Sequence, residues 1–269
     1  MKTIQSKILI AFIIAFFIIG FSTSAKSIID SAGETTGPTT EPVTKENPLA
    51  VIYPANLQEA RSQSIDFVES FTKKQRDYIL YVFKKGEHFF PKADNILDKY
   101  DVPQELQMIP LLESEFNADA VSPVGAVGYW QFMGELAREY GLKTGGKYDE
   151  RKNFSKSTAA AAKFFKDQLD YFNNDLLLCV ASYNCGPGRV QLAIKKSGKR
   201  DADYWDIKRF LPGETKKFVM NFIAYNVVAA NYDKFLNNTL NFDEPPFIKV
   251  QPIQDSLNIG NDSLTVKAL

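Results

Sequence analysis

At 269 residues, 45% hydrophobic and 24% charged, the chain suits one or two globular domains rather than a disordered or fibrous protein. Its 32 Lys and Arg balance 32 Asp and Glu, so no net field draws in nucleic acid. One histidine and two cysteines count against a His/Cys zinc site and against a Ser-His-Asp or Cys-His nucleophile.

Lys2 and Lys7 precede an unbroken apolar run over residues 8–21, and Ser22-Thr23-Ser24-Ala25 follows with small side chains. This layout predicts a secretory signal over 1–25, cleaved after Ala25. The run falls short of the ~20 residues of a membrane-spanning helix, and an uncleaved N-terminal anchor is the alternative. The expected location is exported, in the periplasm or cell envelope, at the wall or membrane. Residues 26–48 are rich in Ser, Thr, Gly, Pro and Glu without periodicity, and predict a flexible linker, set at 26–61.

From Ser62 the pattern turns helical. Ile65, Val68 and Phe71 recur, then Ile79, Val82 and Phe83; Phe89-Phe90-Pro91 interrupts, and Ile96 and Leu97 resume. His88 sits in this stretch and reads as a surface or packing residue. Pro103 opens the next helix, which runs toward Glu113. Helices are predicted over 135–140, from Ser157-Thr158 through Phe172, over 175–182 and over 189–195. One long helix is predicted from Glu214 to Phe235. Asp149, Glu150 and Arg151 read as a salt-bridged surface turn. Cys179 and Cys185 share one helix with about 9 Å of rise between them, beyond the ~7 Å a disulfide spans, so both thiols are expected free. Pro245-Pro246 ends the domain, set at 62–240 with a tail over 241–269.

The stretch 113–131 organises the rest. Glu113 and Ser114 end an apolar run that includes Leu111 and Leu112, and a loop punctuated by Gly125 and Gly128 leads to Gln131 and Met133. Apolar surroundings raise a carboxyl's pKa, and a protonated carboxyl donates to a leaving oxygen. The residues alone also allow a buried helix end followed by an ordinary turn. Glu115 is the rival acid. Two residues along a helix turn it by about 200°, so if the helix persists only one of the two acids faces the groove.

Three blocks in order carry a resemblance. Glu113-Ser114-Glu115-Phe116 leads to Ser122, Gly125-Ala126, Gly128 and Trp130-Gln131-Phe132-Met133. Ala181-Ser182-Tyr183-Asn184-Cys185-Gly186 and Leu211-Pro212-Gly213-Glu214-Thr215 follow. Together they resemble the soluble lytic transglycosylase family, especially its membrane-bound type D branch, over roughly residues 65–232. The resemblance implies a mainly α, lysozyme-like transglycosylase domain acting as a monomer on peptidoglycan glycan strands. It implies cleavage of the β-1,4 bond between N-acetylmuramic acid and N-acetylglucosamine, leaving a 1,6-anhydro product. Glu113 is then the catalytic acid and base. Ser114 orients it; Ser122, Gln131 and Asn184 bond sugar and acetamido groups; Gly125 and Gly128 allow close backbone approach; Met133 and Tyr183 pack on sugar or on the catalytic helix. Phe218 departs from the family's usual tyrosine, and either the site manages without that hydroxyl or a nearby group such as Tyr225 replaces it. No metal or cofactor is implied. A lysozyme-type hydrolase on the same fold and a non-catalytic wall-binding protein are the two alternatives.

Overall fold

The computed structural model describes residues 43–250. The expected signal, its cleavage point, the linker up to residue 42 and the tail from residue 251 lie outside the described residues. Two short strands, β1 (Val43–Glu46) and β2 (Phe247–Val250), pair antiparallel with Val43 opposite Val250. Between them the chain is mainly α. Its helices run α1 (Arg61–Lys74), α2 (Arg76–Gly86), α3 (Phe90–Lys99), α4 (Ile109–Ser114), α5 (Gly134–Glu139) and α6 (Phe154–Tyr171). Then come α7 (Leu176–Cys185), α8 (Pro187–Ser197), α9 (Tyr204–Ile207), α10 (Gly213–Ala230) and α11 (Tyr232–Leu236). Among the described residues no helix is long and apolar enough to cross a membrane.

The core is built on α7 and α10, which pack on each other. Both are apolar on nearly every face, the pattern of a helix enclosed by others. On α7 the whole run Leu176, Leu177, Leu178, Cys179, Val180 and Ala181 is buried; on α10 Phe218, Val219, Phe222, Ile223, Val227 and Val228 are. Helices α1 and α4 pack against α10, and α8 against α7. Both cysteines are free, as their spacing on one helix requires. His88 is exposed in the turn between α2 and α3.

Several boundaries differ from the sequence reading. The stretch assigned to linker is packed in its last part: Ala50, Val51, Tyr53, Leu57 and Ala60 are buried. The backbone there is also held by polar side chains, one of them distant in the chain. Asn231 accepts from the Ile52 amide at 2.9 Å and donates to the Ile52 carbonyl at 2.7 Å, and Arg61 donates to the Val51 carbonyl at 2.8 Å. The same Asn231 divides the expected long helix into α10 and α11. The helix 154–171 begins three residues earlier than expected, because Asn153, not Ser157, caps it by accepting from the Lys156 amide at 3.0 Å. Helix α7 continues past Ser182 through Tyr183, Asn184 and Cys185, and ends where Gly186 takes φ 86°.

Candidate active site

Glu113 lies in the last turn of α4. The helix stops directly after it, because Glu115 and Phe116 both take left-handed backbone, φ 49° and 56°. Such a conformation costs a non-glycine residue roughly 1–2 kcal/mol, so neighbours must enforce it. The Glu115 amide donates to Leu111 and the Phe116 amide to Pro110, closing the helix end. The Phe116 ring is buried, stacked on Phe89 at 5.0 Å and edge-on to Phe90 at 5.3 Å. Gly86 makes room for both, since a Cβ there would sit 2.7 Å from the Phe116 and Phe90 rings.

This geometry corrects the rotation argument for the two acids. The helix does not persist to Glu115, so 200° of rotation does not apply. Glu115 instead turns to α2, where Tyr78 donates its phenol proton to it at 2.6 Å. Glu113 is half-buried, and that burial pushes its pKa from 4.5 up to about 8; the negative charge of Glu214 adds to the rise. Glu214 stands exposed in the first turn of α10. Its block was recognisable, but nothing in the sequence said that its charge acts on Glu113.

The glycine-punctuated loop is folded by its own side chains. The Ser122 hydroxyl accepts from the Ala126 amide at 3.0 Å, which leaves its proton for another acceptor. Gln131 has φ 48°, and its amide nitrogen donates to the carbonyls of Ala120 at 3.1 Å and Gly128 at 2.9 Å. Its side-chain oxygen is the atom left to face a ligand. The Ser114 hydroxyl reaches the carbonyls of Pro110 at 3.1 Å and Tyr129 at 2.8 Å, tying the loop to α4 rather than touching Glu113. Gly125, at φ 87°, has open space where a side chain would project. Gly128 does not: a Cβ there would lie 2.1 Å from the Arg151 carbonyl oxygen. Gly128 thus serves protein packing, where close approach to sugar was expected.

Arg151 is the residue the sequence reading undervalued. The turn expected at the surface is a buried brace, with the Arg151 and Asp149 side chains each 9% exposed and paired at 2.7 Å. Arg151 also donates to the Phe132 carbonyl at 3.0 Å and the Gly125 carbonyl at 3.3 Å. It holds the Asp149 carboxyl down to about 2. The only advance signal was an acid and an arginine two residues apart, which alone does not tell a surface pair from a buried one.

Behind the loop, the Tyr183 phenol donates to the Trp130 carbonyl at 2.5 Å, and its ring stacks on Phe165 at 5.1 Å. Burial, and then the Glu113 charge, raise the Tyr183 pKa well above its ordinary value, so it stays a donor. Tyr183 is a clamp on the loop, beside the acid. Asn184, next on α7, accepts from the buried Thr215 hydroxyl at 2.8 Å, leaving its amide protons for a ligand. Met133 is 45% exposed, with exposed Val121 and Val124 in the same loop region. Phe218 is buried on α10. Tyr225 does not replace the missing hydroxyl: its ring meets Phe71 and Phe83, and the charges acting on it are Tyr78 and Glu115, not Glu113.

Residues 93–206, which contain Glu113, the loop and Asn184, match the family model described as Transglycosylase SLT domain. Those residues are similar to a transglycosylase SLT domain. The chain is 34% identical over 164 residues to Membrane-bound lytic murein transglycosylase D of Escherichia coli (strain K12), covering 60% of this chain and 36% of that protein. It is 30% identical over 154 residues to Soluble lytic murein transglycosylase of the same strain, covering 52% of this chain and 23% of that one. This chain therefore spans about a third or less of those relatives' length. Among solved structures, the 70 kDa soluble lytic transglycosylase of Escherichia coli aligns with TM-score 0.46 and 22% identity, over 66% of this chain and 34% of that one. The matched SLT range stops short of the Leu211–Thr215 block, yet Thr215 and Glu214 join the site through Asn184 and Glu113.

Proposed function

We propose that this chain is a peptidoglycan lytic transglycosylase, cleaving the β-1,4 bond between N-acetylmuramic acid and N-acetylglucosamine. The observation that carries the reading is Glu113, a half-buried carboxyl pushed up to about 8 at the end of α4, a helix tied through Ser114 to a loop with unused acceptors and donors. Protonated at neutral pH, Glu113 gives its proton to the leaving glycosidic oxygen. The substrate's acetamido group stabilises the anomeric carbon. Glu113, now a carboxylate, takes the proton of the 6-hydroxyl as that oxygen closes the 1,6-anhydro ring. The proton count balances, and no second carboxylate of the usual glycosidase pair is required. Gln131, Asn184 and Ser122 hold the sugars through the atoms their internal bonds leave over, and Met133 offers an apolar contact. The enzyme acts as a monomer on glycan strands after export; the charged start, short apolar run and small-residue exit of residues 1–25 support that part.

Mass spectrometry of muropeptides released from purified sacculi tests this. Products lighter by one water than hydrolytic ones are expected; products with a free reducing end mean a muramidase, and no release means a wall-binding protein.

A pH dependence follows. The acid must be protonated, so release is expected to fall as pH rises through about 8. Because the Glu214 charge helps raise Glu113, Glu214→Gln is expected to move that falling limb to lower pH. A limb that stays put in Glu214→Gln means that the two carboxylates do not communicate.

A further inference from the structure

We propose that a cavity between the start of α1, the α6–α7 turn and α9 is a second glycan-binding site, separate from Glu113, that takes neutral sugar rings. The inference stands apart from the cleavage reading, since a glycan held here need not be cut.

The cavity has a volume of about 540 Å³, within the ~300–1,000 Å³ of small-molecule sites. Stretches distant in the chain converge on it. Ser62 and Gln63 come from the first turn of α1, Asn173 and Asn174 from the α6–α7 turn, and Trp205 from α9. No residue named above as a candidate for sugar binding or catalysis lines it. Along α7, Leu176 at the cavity and Asn184 at the candidate active site stand about 12 Å of helix rise apart.

The lining selects the ligand. No Lys, Arg or His is part of it, so an anion finds no counter-charge. Among the described residues no group of three or more His, Cys, Asp or Glu is placed to hold a metal ion. Most of the carboxylates on the wall are already engaged. Asp175 accepts from the Leu178 amide at 2.9 Å, Asp203 accepts from the Asp206 amide at 2.8 Å, and Asp206 pairs with Lys199. What remains is mainly neutral. The side-chain amides of Gln63, Asn173 and Asn174, the Ser62 hydroxyl and the Trp205 indole N–H bond no other described residue, and Glu59 adds one unpaired carboxylate. Amides and hydroxyls both donate and accept. Sugar hydroxyls and acetamido groups do the same, so the two sets match. Ser62, Gln63, Asn173 and Asn174 are exposed, which leaves the cavity open to a ligand from solvent. Tyr204 also lines it, and its buried phenol oxygen has no hydrogen-bond partner among the described residues. Buried polar groups are ordinarily paired, so this wall lacks one partner.

The wall is also held in advance. Asn173 and Asn174 take left-handed backbone, φ 52° and 62°, which asparagine tolerates better than most residues. The Asn174 amide donates to Leu169 at 2.8 Å and the Asp175 amide to Phe172 at 3.0 Å, fixing the turn. The Trp205 ring has the Lys208 amine 4.8 Å over it and meets Tyr204 edge-on at 5.0 Å. Little ordering is therefore lost when a ligand binds.

Trp205 and Trp130 are the chain's two tryptophans, and Trp130 is fully buried in the loop of the candidate active site. Fluorescence titration of the full chain with a neutral N-acetylglucosamine oligomer therefore tests the proposal. A saturable change is expected that is missing in Trp205→Phe; any response left in that variant belongs to Trp130 and to the other site. Asn173→Gly with Asn174→Gly removes both amides and keeps the left-handed turn. Adding Gln63→Ala to that pair is expected to weaken the Trp205 response about tenfold. Gln63→Ala alone, on an exposed helix position, is expected to weaken it about threefold, and it carries the test should the glycine variant unfold by circular dichroism. No saturable Trp205 response, or one undiminished in these variants, overturns the proposal. A lysine-rich peptide is the competing ligand: a response to it and none to the oligomer marks a basic-peptide site on Glu59 and overturns the glycan assignment. Muropeptide release is measured separately, so failure here leaves the cleavage reading standing.

Discussion

Replacing Glu113 by glutamine is expected to reduce release of anhydro-muropeptides by ~10³–10⁴-fold or more. General acid–base catalysis contributes typically ~10²–10⁴-fold, up to roughly 5 kcal/mol of barrier. In the proposed reaction one carboxyl serves both halves, so its loss belongs at the upper end. Glutamine keeps the size and polarity and removes the titrating proton, so circular dichroism should be unchanged. Stability separates the two forms further. A carboxyl raised from 4.5 to about 8 by folding makes the folded state hold a proton that the unfolded state releases. The wild type therefore loses stability, relative to Glu113→Gln, as pH rises from about 4.5 to about 8, and the difference is absent below that window. Glu115→Gln is the control. Its side chain still accepts from Tyr78, and it is expected to keep most of the activity. Near wild-type release by Glu113→Gln, with loss in Glu115→Gln, would reverse the assignment.

Arg151→Met is expected to cost ~3–5 kcal/mol of folding stability, the range for breaking a buried ion pair on one side. The substitution leaves Asp149 buried without its partner and strips the carbonyls of Phe132 and Gly125 of their donor. Against a total of roughly 5–15 kcal/mol for a domain, that is a large fraction. Urea unfolding followed by circular dichroism measures it. Activity should fall with it, even at temperatures where the variant stays folded, because the loop carrying Gln131 loses its anchor. Acid provides a second reading. Asp149 is held down to about 2, so its share of stability is present above the ordinary carboxylate range and disappears as pH falls through about 2. In Arg151→Met that acid-sensitive share should vanish. A cost below about 1 kcal/mol would place the pair among exposed ion pairs of little consequence.

The two assignments differ in how far sequence alone supported them. Glu113 could be proposed as the acid from sequence because its apolar neighbours lie beside it in the chain, and because three blocks stand in one order. The helical class was legible for the same local reason, since the 3.6-residue period of α1, α2 and α10 is written in consecutive residues. What sequence left undecided depended on partners distant in the chain. Glu115 leaves the helix because Phe116 is captured by Phe89 and Phe90. Tyr225 is lost to the site because its neighbours are Phe71, Phe83 and the Tyr78–Glu115 pair. Asn231 interrupts a good helical pattern because it bonds Ile52, 179 residues away. Gly128 answers to the Arg151 carbonyl, and Arg151 is a buried brace only because the Gly125 to Phe132 loop folds over it. Periodicity and motif order are properties of neighbouring residues, so the sequence by itself determined the mainly α class and singled out the proposed acid; burial and hydrogen-bond partnership join residues far apart, so only the tertiary structure decided what holds that carboxyl and its loop in place.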